Sequence, residues 1–206
     1  MKHLYISEEK QIPAKKLLSM KMFWLLFILM VCSGASEQAM SQWASLFAEQ
    51  GLQLSKMVGD LLGPCFFAVM MGVARVFYGK LGEKIELRKF MVGSSGLCII
   101  SYFMAVTMKN PFLALLGCGF CGLSVGIMWP GTFSIAAKAC PQGGTFMFGI
   151  LALAGDLGCS IGPGLVSVVS GAVPTYGIKA GIAVAIVFPA VMIFLLVGNR
   201  KNWDKK

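Results

Sequence analysis

Apolar residues fill this chain in six long blocks, at 20–48, 55–78, 90–107, 111–137, 145–170 and 176–198, with polar residues gathered between them. Each block meets or exceeds the ~18–20 residues a helix needs to cross a ~30 Å hydrocarbon core. The pattern predicts an all-α membrane protein: a six-helix transmembrane bundle over 20–199, a charged linker-like tail over 1–19 and a short tail over 200–206. Pro64, Pro130, Pro163 and Pro189 fall inside blocks, so several helices are expected to bend. The connection 79–89 reads as the longest and most charged loop.

Composition sharpens this picture. The 206 residues are 57% hydrophobic and 13% charged, and six spans leave no segment long enough for a water-soluble catalytic domain. The first block follows a basic stretch, as a signal peptide would. It is too long for a signal core, has no small-residue cleavage site before Trp43 and precedes five more spans, so it reads as a retained helix.

The net charge of +9 has a topological reading, and nucleic acid is not needed to explain it. Lys2, Lys10, Lys15, Lys16 and Lys21 precede the first block, Lys80, Lys84, Arg88 and Lys89 follow the second, Lys138 ends the fourth, and Arg200, Lys201, Lys205 and Lys206 follow the sixth. Lys56, Lys109 and Lys179 lie at the opposite ends. Such alternation is the positive-inside pattern and places both termini in the cytoplasm, in a plasma (inner) membrane with anionic headgroups.

The seven cysteines fall in or beside the blocks with no histidine near them; the one histidine is His3. Small packing residues are the plain reading, and no metal or other cofactor is implied. P-loop, dinucleotide, H-E-x-x-H and G-x-S-x-G patterns are absent, so the chain is not read as an enzyme.

A faint repeat links the second and fifth blocks. Gly59-Asp60-Leu61 precedes Gly63-Pro64, and Gly155-Asp156-Leu157 precedes Gly162-Pro163. Each block is the second of a triplet, as in transporters built from two inverted three-helix repeats. Three further places carry a family resemblance. Gly72, Arg75, Gly79, Lys80, Gly82, Glu83 and Lys84 follow the second block with glycine, an acid and bases recurring. Gly149, Gly158, Gly162, Pro163 and Gly164 occupy the fifth. Ser36-Glu37 with Trp43, and 122–135 with Trp129-Pro130-Gly131-Thr132-Phe133-Ser134, occupy the first and fourth. The chain resembles the C-terminal six-helix half of the major facilitator superfamily, in its fucose-permease-like branch. It departs from the family pattern where Glu83 replaces the usual Asp, where the final Gly–basic pair is missing, and where Val166-Ser167 replaces a Gly pair. The resemblance implies alternating-access transport of a small solute such as a sugar, commonly driven by protons, between two six-helix halves.

Glu37 is the leading candidate residue. A charge in mid-span costs roughly 2.5–3.5 kcal/mol on insertion scales, so it faces a cavity or a partner. Gly34, Glu37, Gln38, Ser41, Gln42 and Ser45 recur every three or four residues as a polar stripe. The stripe reads either as a wall for protons and solute or as interhelical hydrogen bonding. Asp156 reads as a proton or solute group, or as half of a buried pair. Asp60 reads as a pathway group or as a charge complementing a helix N-terminus. Trp43 and Trp129 are candidates for stacking on a sugar; Trp43 reads equally as an interfacial anchor and Trp129 as packing. The resemblance gives Gly72, Arg75, Gly79, Lys80 and Glu83 the role of a cytoplasmic gating latch, against ordinary snorkelling charge.

The function expected is therefore proton-coupled movement of a small solute by a half-transporter. Glu37, Gln38, Gln42, Trp129 and Asp156 would form its pathway, and a second six-helix half, from another copy or a separate chain, would complete it. The alternative is a truncated or non-transporting membrane subunit that assembles with other proteins.

Overall fold

The computed structural model describes residues 12–82 and 85–199. Six helices long and apolar enough to cross a membrane cover Lys21–Ser41, Lys56–Leu81, Leu87–Thr107, Pro111–Ala139, Gly144–Ala172 and Ile178–Gly198. The described residues contain no strand. In chain order the helices are α1 (Ala14–Leu18), α2 (Lys21–Ser41), α3 (Ala44–Leu46), α4 (Lys56–Leu81), α5 (Leu87–Thr107), α6 (Pro111–Val125), α7 (Met128–Ala139), α8 (Gly144–Ala172), α9 (Ile178–Val184) and α10 (Val187–Gly198). A wider helical turn, Phe47–Gly51, follows α3.

Local chemistry sets several boundaries. The Ser55 hydroxyl accepts from the Val58 amide at the start of α4 (3.4 Å). The Asn110 side chain accepts from the Phe112 amide (2.9 Å), with Pro111 at the first helical position, where its missing N–H costs nothing. The loop expected over 79–89 shortens, because α4 continues through Leu81 and α5 already starts at Leu87.

Two of the four prolines break their spans. Pro130 and Pro189 each follow an interruption, at 126–127 between α6 and α7 and at 185–186 between α9 and α10. A proline cannot donate to the carbonyl four residues earlier, which here is Gly126 or Ala185, so the helix parts at that carbonyl. Pro64 and Pro163 lie inside uninterrupted helices. The first span also parts, at Gln42–Trp43, with no proline nearby; we have no physical account of that break.

The packing follows an exchange between two triplets. The first helix of one unit, α2, packs chiefly on α8, the second helix of the other; α6 packs on α4 as well as on α5. The third helices, α5 and α10, touch each other, and each also packs on the first helix of the other unit. Three crossings are an odd number, so the second unit lies inverted relative to the first. Both exchanged interfaces are glycine seams. A Cβ on Gly158 would lie 2.9 Å from the Ala35 amide nitrogen of α2, and one on Gly126 would lie 2.8 Å from the Met71 carbonyl oxygen of α4. Gly34, Gly162 and Gly122 are equally filled by the facing backbone. Small residues at these points let two helices meet at backbone distance, which is how helices associate where no hydrophobic drive exists between them. Between the seams Phe23, Leu29, Met30, Tyr102, Met128 and Met147 are fully buried, and the Tyr102 hydroxyl donates to the Ser36 carbonyl (2.8 Å).

Part of the segment read as a tail is built into the bundle. Leu17 of α1 is fully buried, the Ile12 amide donates to the Gln142 carbonyl (2.9 Å), and the Trp24 indole donates to the Leu18 carbonyl (2.9 Å). Residues 1–11, among them His3, residues 83–84, and residues 200–206 lie outside the described residues.

Candidate functional site

Four helices enclose an open cleft of about 640 Å³. Glu37 and Gln38 of α2 form one wall, Arg75, Tyr78 and Gly79 of α4 another, Trp129, Pro130 and Phe133 of α7 a third, and Cys159 of α8 closes it. The break ahead of Pro130 makes α7 start at Met128, so Trp129 sits in its first turn and Phe133 one turn later. Their ring centroids are 6.3 Å apart at 59°, and Phe133 continues to Phe148 at 5.9 Å. Trp129 lies over Gly155 of α8, where a Cβ would collide with the indole.

The charges of the cleft meet across α2 and α4. Arg75 Nη2 lies 3.6 Å from Glu37 Oε2, with the arginine side chain 49% exposed and the glutamate 13%. That separation makes an ion pair but exceeds hydrogen-bond reach. Glu37 Oε2 and Trp129 Nε1 are buried atoms with no hydrogen-bond partner among the described residues. One is an acceptor and the other a donor. Beside them the Tyr78 hydroxyl donates to Ser134 Oγ (3.0 Å), which donates to the Pro130 carbonyl (2.8 Å), tying α4 to α7.

Of the residues singled out in the sequence, Glu37, Gln38, Arg75, Gly79 and Trp129 line this cleft. Asp156, Gln42, Gly72 and Lys80 are exposed and outside its lining. Glu83 lies outside the described residues. The polar stripe of the first span does not form one wall. Gly34 packs on α8, Gln42 sits at the helix break, and the Ser45 hydroxyl donates to Asp60, joining the ends of the first and second spans. The Trp43 indole donates to the Pro163 carbonyl (3.2 Å), which occupies its N–H in packing. Pro130, Phe133, Tyr78 and Cys159 complete the cleft; Pro130 and Phe133 stood only within the resemblance at 129–134, and Tyr78 and Cys159 had no site role. The signal for two of them was spacing: Tyr78 follows Arg75 by three residues and Phe133 follows Trp129 by four, on the same helix faces.

Six apolar helices in two inverted triplets, with a charged cleft between four of them, define an integral membrane protein of the polytopic transporter type. A model of the Major Facilitator Superfamily matches the chain in two overlapping placements, residues 5–163 and 52–205, and the chain belongs to that superfamily. Its members move small solutes across membranes. No curated protein and no solved structure matches the chain.

Proposed function

We propose that the chain is one six-helix half of an alternating-access transporter of the fucose-permease-like branch, carrying a sugar-like solute with protons across the plasma membrane, both ends of the bundle chain being cytoplasmic. The observation that carries the proposal is the Glu37–Arg75 pair facing the cleft beside Trp129. When Glu37 takes a proton the pair loses its attraction, and Arg75 turns its donors to solute oxygens. When the proton leaves, the pair re-forms and expels the solute. A carboxylate whose partner depends on its protonation biases two conformations by that difference alone. Hydroxyls both donate and accept, so those of a sugar would satisfy Glu37 Oε2 and Trp129 Nε1, while the indole face suits the C–H surface of the ring. Gly72, Arg75, Gly79, Lys80 and Glu83 would gate the cytoplasmic side, and Gln42 and Asp156 would meet the solute on its way in or out.

The cleft is open, and a second six-helix unit would close it. Among the described residues, nothing lies within 4 Å of a Cβ built on Gly72 and Gly79 of α4 or on Gly164 and Gly171 of α8, unlike the glycines of the two seams. These two faces would take the second unit. Proteoliposomes with an acidic exterior test the whole reading. The chain should accumulate a labelled hexose or deoxyhexose, and Glu37→Gln should keep exchange while losing accumulation. Full accumulation by Glu37→Gln would remove Glu37 from the coupling.

A further inference from the structure

A second cavity, of about 420 Å³, lies away from the cleft, between α4, α5 and α6. Its walls are apolar, with Val73 and Phe77 from α4 and Phe90, Gly93 and Leu97 from α5, and Lys89 stands in its lining at one end. Val73 and Phe77 each lie two residues from Arg75, about 160° around the helix from it at 100° per residue. The groove therefore opens on the opposite face of α4 from the cleft, where the apolar side chains of Val69, Val73 and Phe77 are exposed. From Lys89 to Leu97 it runs eight residues of helix, about 12 Å into the hydrocarbon. The rings of Phe77 and Phe90 stack at its polar end, 6.3 Å apart at 29°.

We propose that this groove binds one acyl chain of an anionic phospholipid from the leaflet at this end of the bundle, with the phosphate held at Lys89. The proposal goes beyond the transport reading and does not rest on it. The apolar length suits a fatty-acyl chain. Among the described residues of this segment, Lys80, Arg88 and Lys89 stand against Glu86, a net charge of +2, which complements a phosphodiester. Lys89 Nζ donates to Glu86 at 2.6 Å and its side chain remains 69% exposed; an ammonium has three donors, so a phosphate oxygen joins Glu86 without displacing it. Gly93 matters because nothing lies within 4 Å of a Cβ built on it. A larger side chain there enters the groove without touching the packing. Gly96, on the same helix, is equally open and outside the groove lining, which makes it a matched control.

The full chain would be released from nanodiscs containing equal phosphatidylglycerol and phosphatidylcholine, and its retained lipids read by native mass spectrometry. The wild type should hold phosphatidylglycerol in preference, by about 5-fold for a single lysine near the surface. Gly93→Leu should lose the retained lipid and Gly96→Leu should keep it. Lys89→Glu should keep a lipid but lose the preference for the anionic one. Equal retention of the two lipids by the wild type, or undiminished retention by Gly93→Leu, overturns the proposal.

Discussion

Arg75 and Glu37 meet at 3.6 Å from two different spans, the one half exposed and the other nearly buried. The contact attracts without a hydrogen bond, so it orders the cleft while remaining easy to release. Neither residue has that meaning alone. In the sequence Glu37 is an isolated mid-span acid and Arg75 one charge within a motif; they become a pair by facing each other across the cleft.

Removing the cation leaves that carboxylate unpaired. Arg75→Ala should cost about 1–3 kcal/mol, between the values for exposed and buried pairs. The thermal midpoint in detergent should fall accordingly, and adding Glu37→Gln should restore most of it. A double variant no more stable than Arg75→Ala would mean that the unpaired Glu37 carboxylate carries no burial cost.

The glycines divide into two kinds with opposite expected outcomes. Gly158→Leu drives a side chain into the α2 backbone and should abolish a monodisperse bundle in size-exclusion chromatography. Gly164→Leu enters open space and should leave the midpoint within a few degrees, yet block transport by keeping a second unit off α8. Normal transport by Gly164→Leu would put the second unit elsewhere.

Two tryptophans should separate stability from transport. Trp43→Phe removes the hydrogen bond to the Pro163 carbonyl and should cost about 1 kcal/mol of stability with transport kept. Trp129→Phe keeps a ring over Gly155 but removes the unpartnered indole N–H. It should weaken solute affinity about 5–13-fold, the worth of one net hydrogen bond of about 1–1.5 kcal/mol. Binding isotherms and unfolding midpoints of the two variants give the comparison.

Cys140 follows the fourth span and is buried, and burial pushes its thiol above the ordinary range. Its reactive thiolate is then scarcer than usual at neutral pH and appears at higher pH. In a variant with the other cysteines replaced by serine or alanine, maleimide labelling of Cys140 should be slow at neutral pH and climb at more alkaline pH than a free thiol. Labelling that already runs at the free-thiol rate at neutral pH would show that the site is open.

The spans were legible because length and apolarity alone decide whether a helix can cross a bilayer. All four in-span prolines read alike as bends, yet only Pro130 and Pro189 follow breaks, while Pro64 and Pro163 lie in uninterrupted helices. The break at Gln42–Trp43 has no such local cause and was invisible. Glu37, Gln38 and Trp129 stood out as large polar or amphipathic groups within apolar runs, and all three line the cleft. Asp156 stood out for the same reason but lies exposed on α8. Composition says that a charge needs a partner or a cavity; it does not say which side of its helix faces one. The docking of Leu17 was hidden for a related reason, since one leucine in a basic stretch has no periodicity to read.

The exchange of helices between triplets also sets a timetable for synthesis. The principal partner of α2 is α8, which ends at Ala172, 131 residues after Ser41. At roughly 5–20 residues per second, the first span waits on the order of ten seconds in the membrane before the helix that fills its glycine seam exists. Through that interval the Gly34 side of α2 faces lipid or a temporary protein neighbour, although Arg75 of α4 is already present to pair with Glu37. Quality control of this protein is therefore a matter of what shelters its first helix until its fifth arrives.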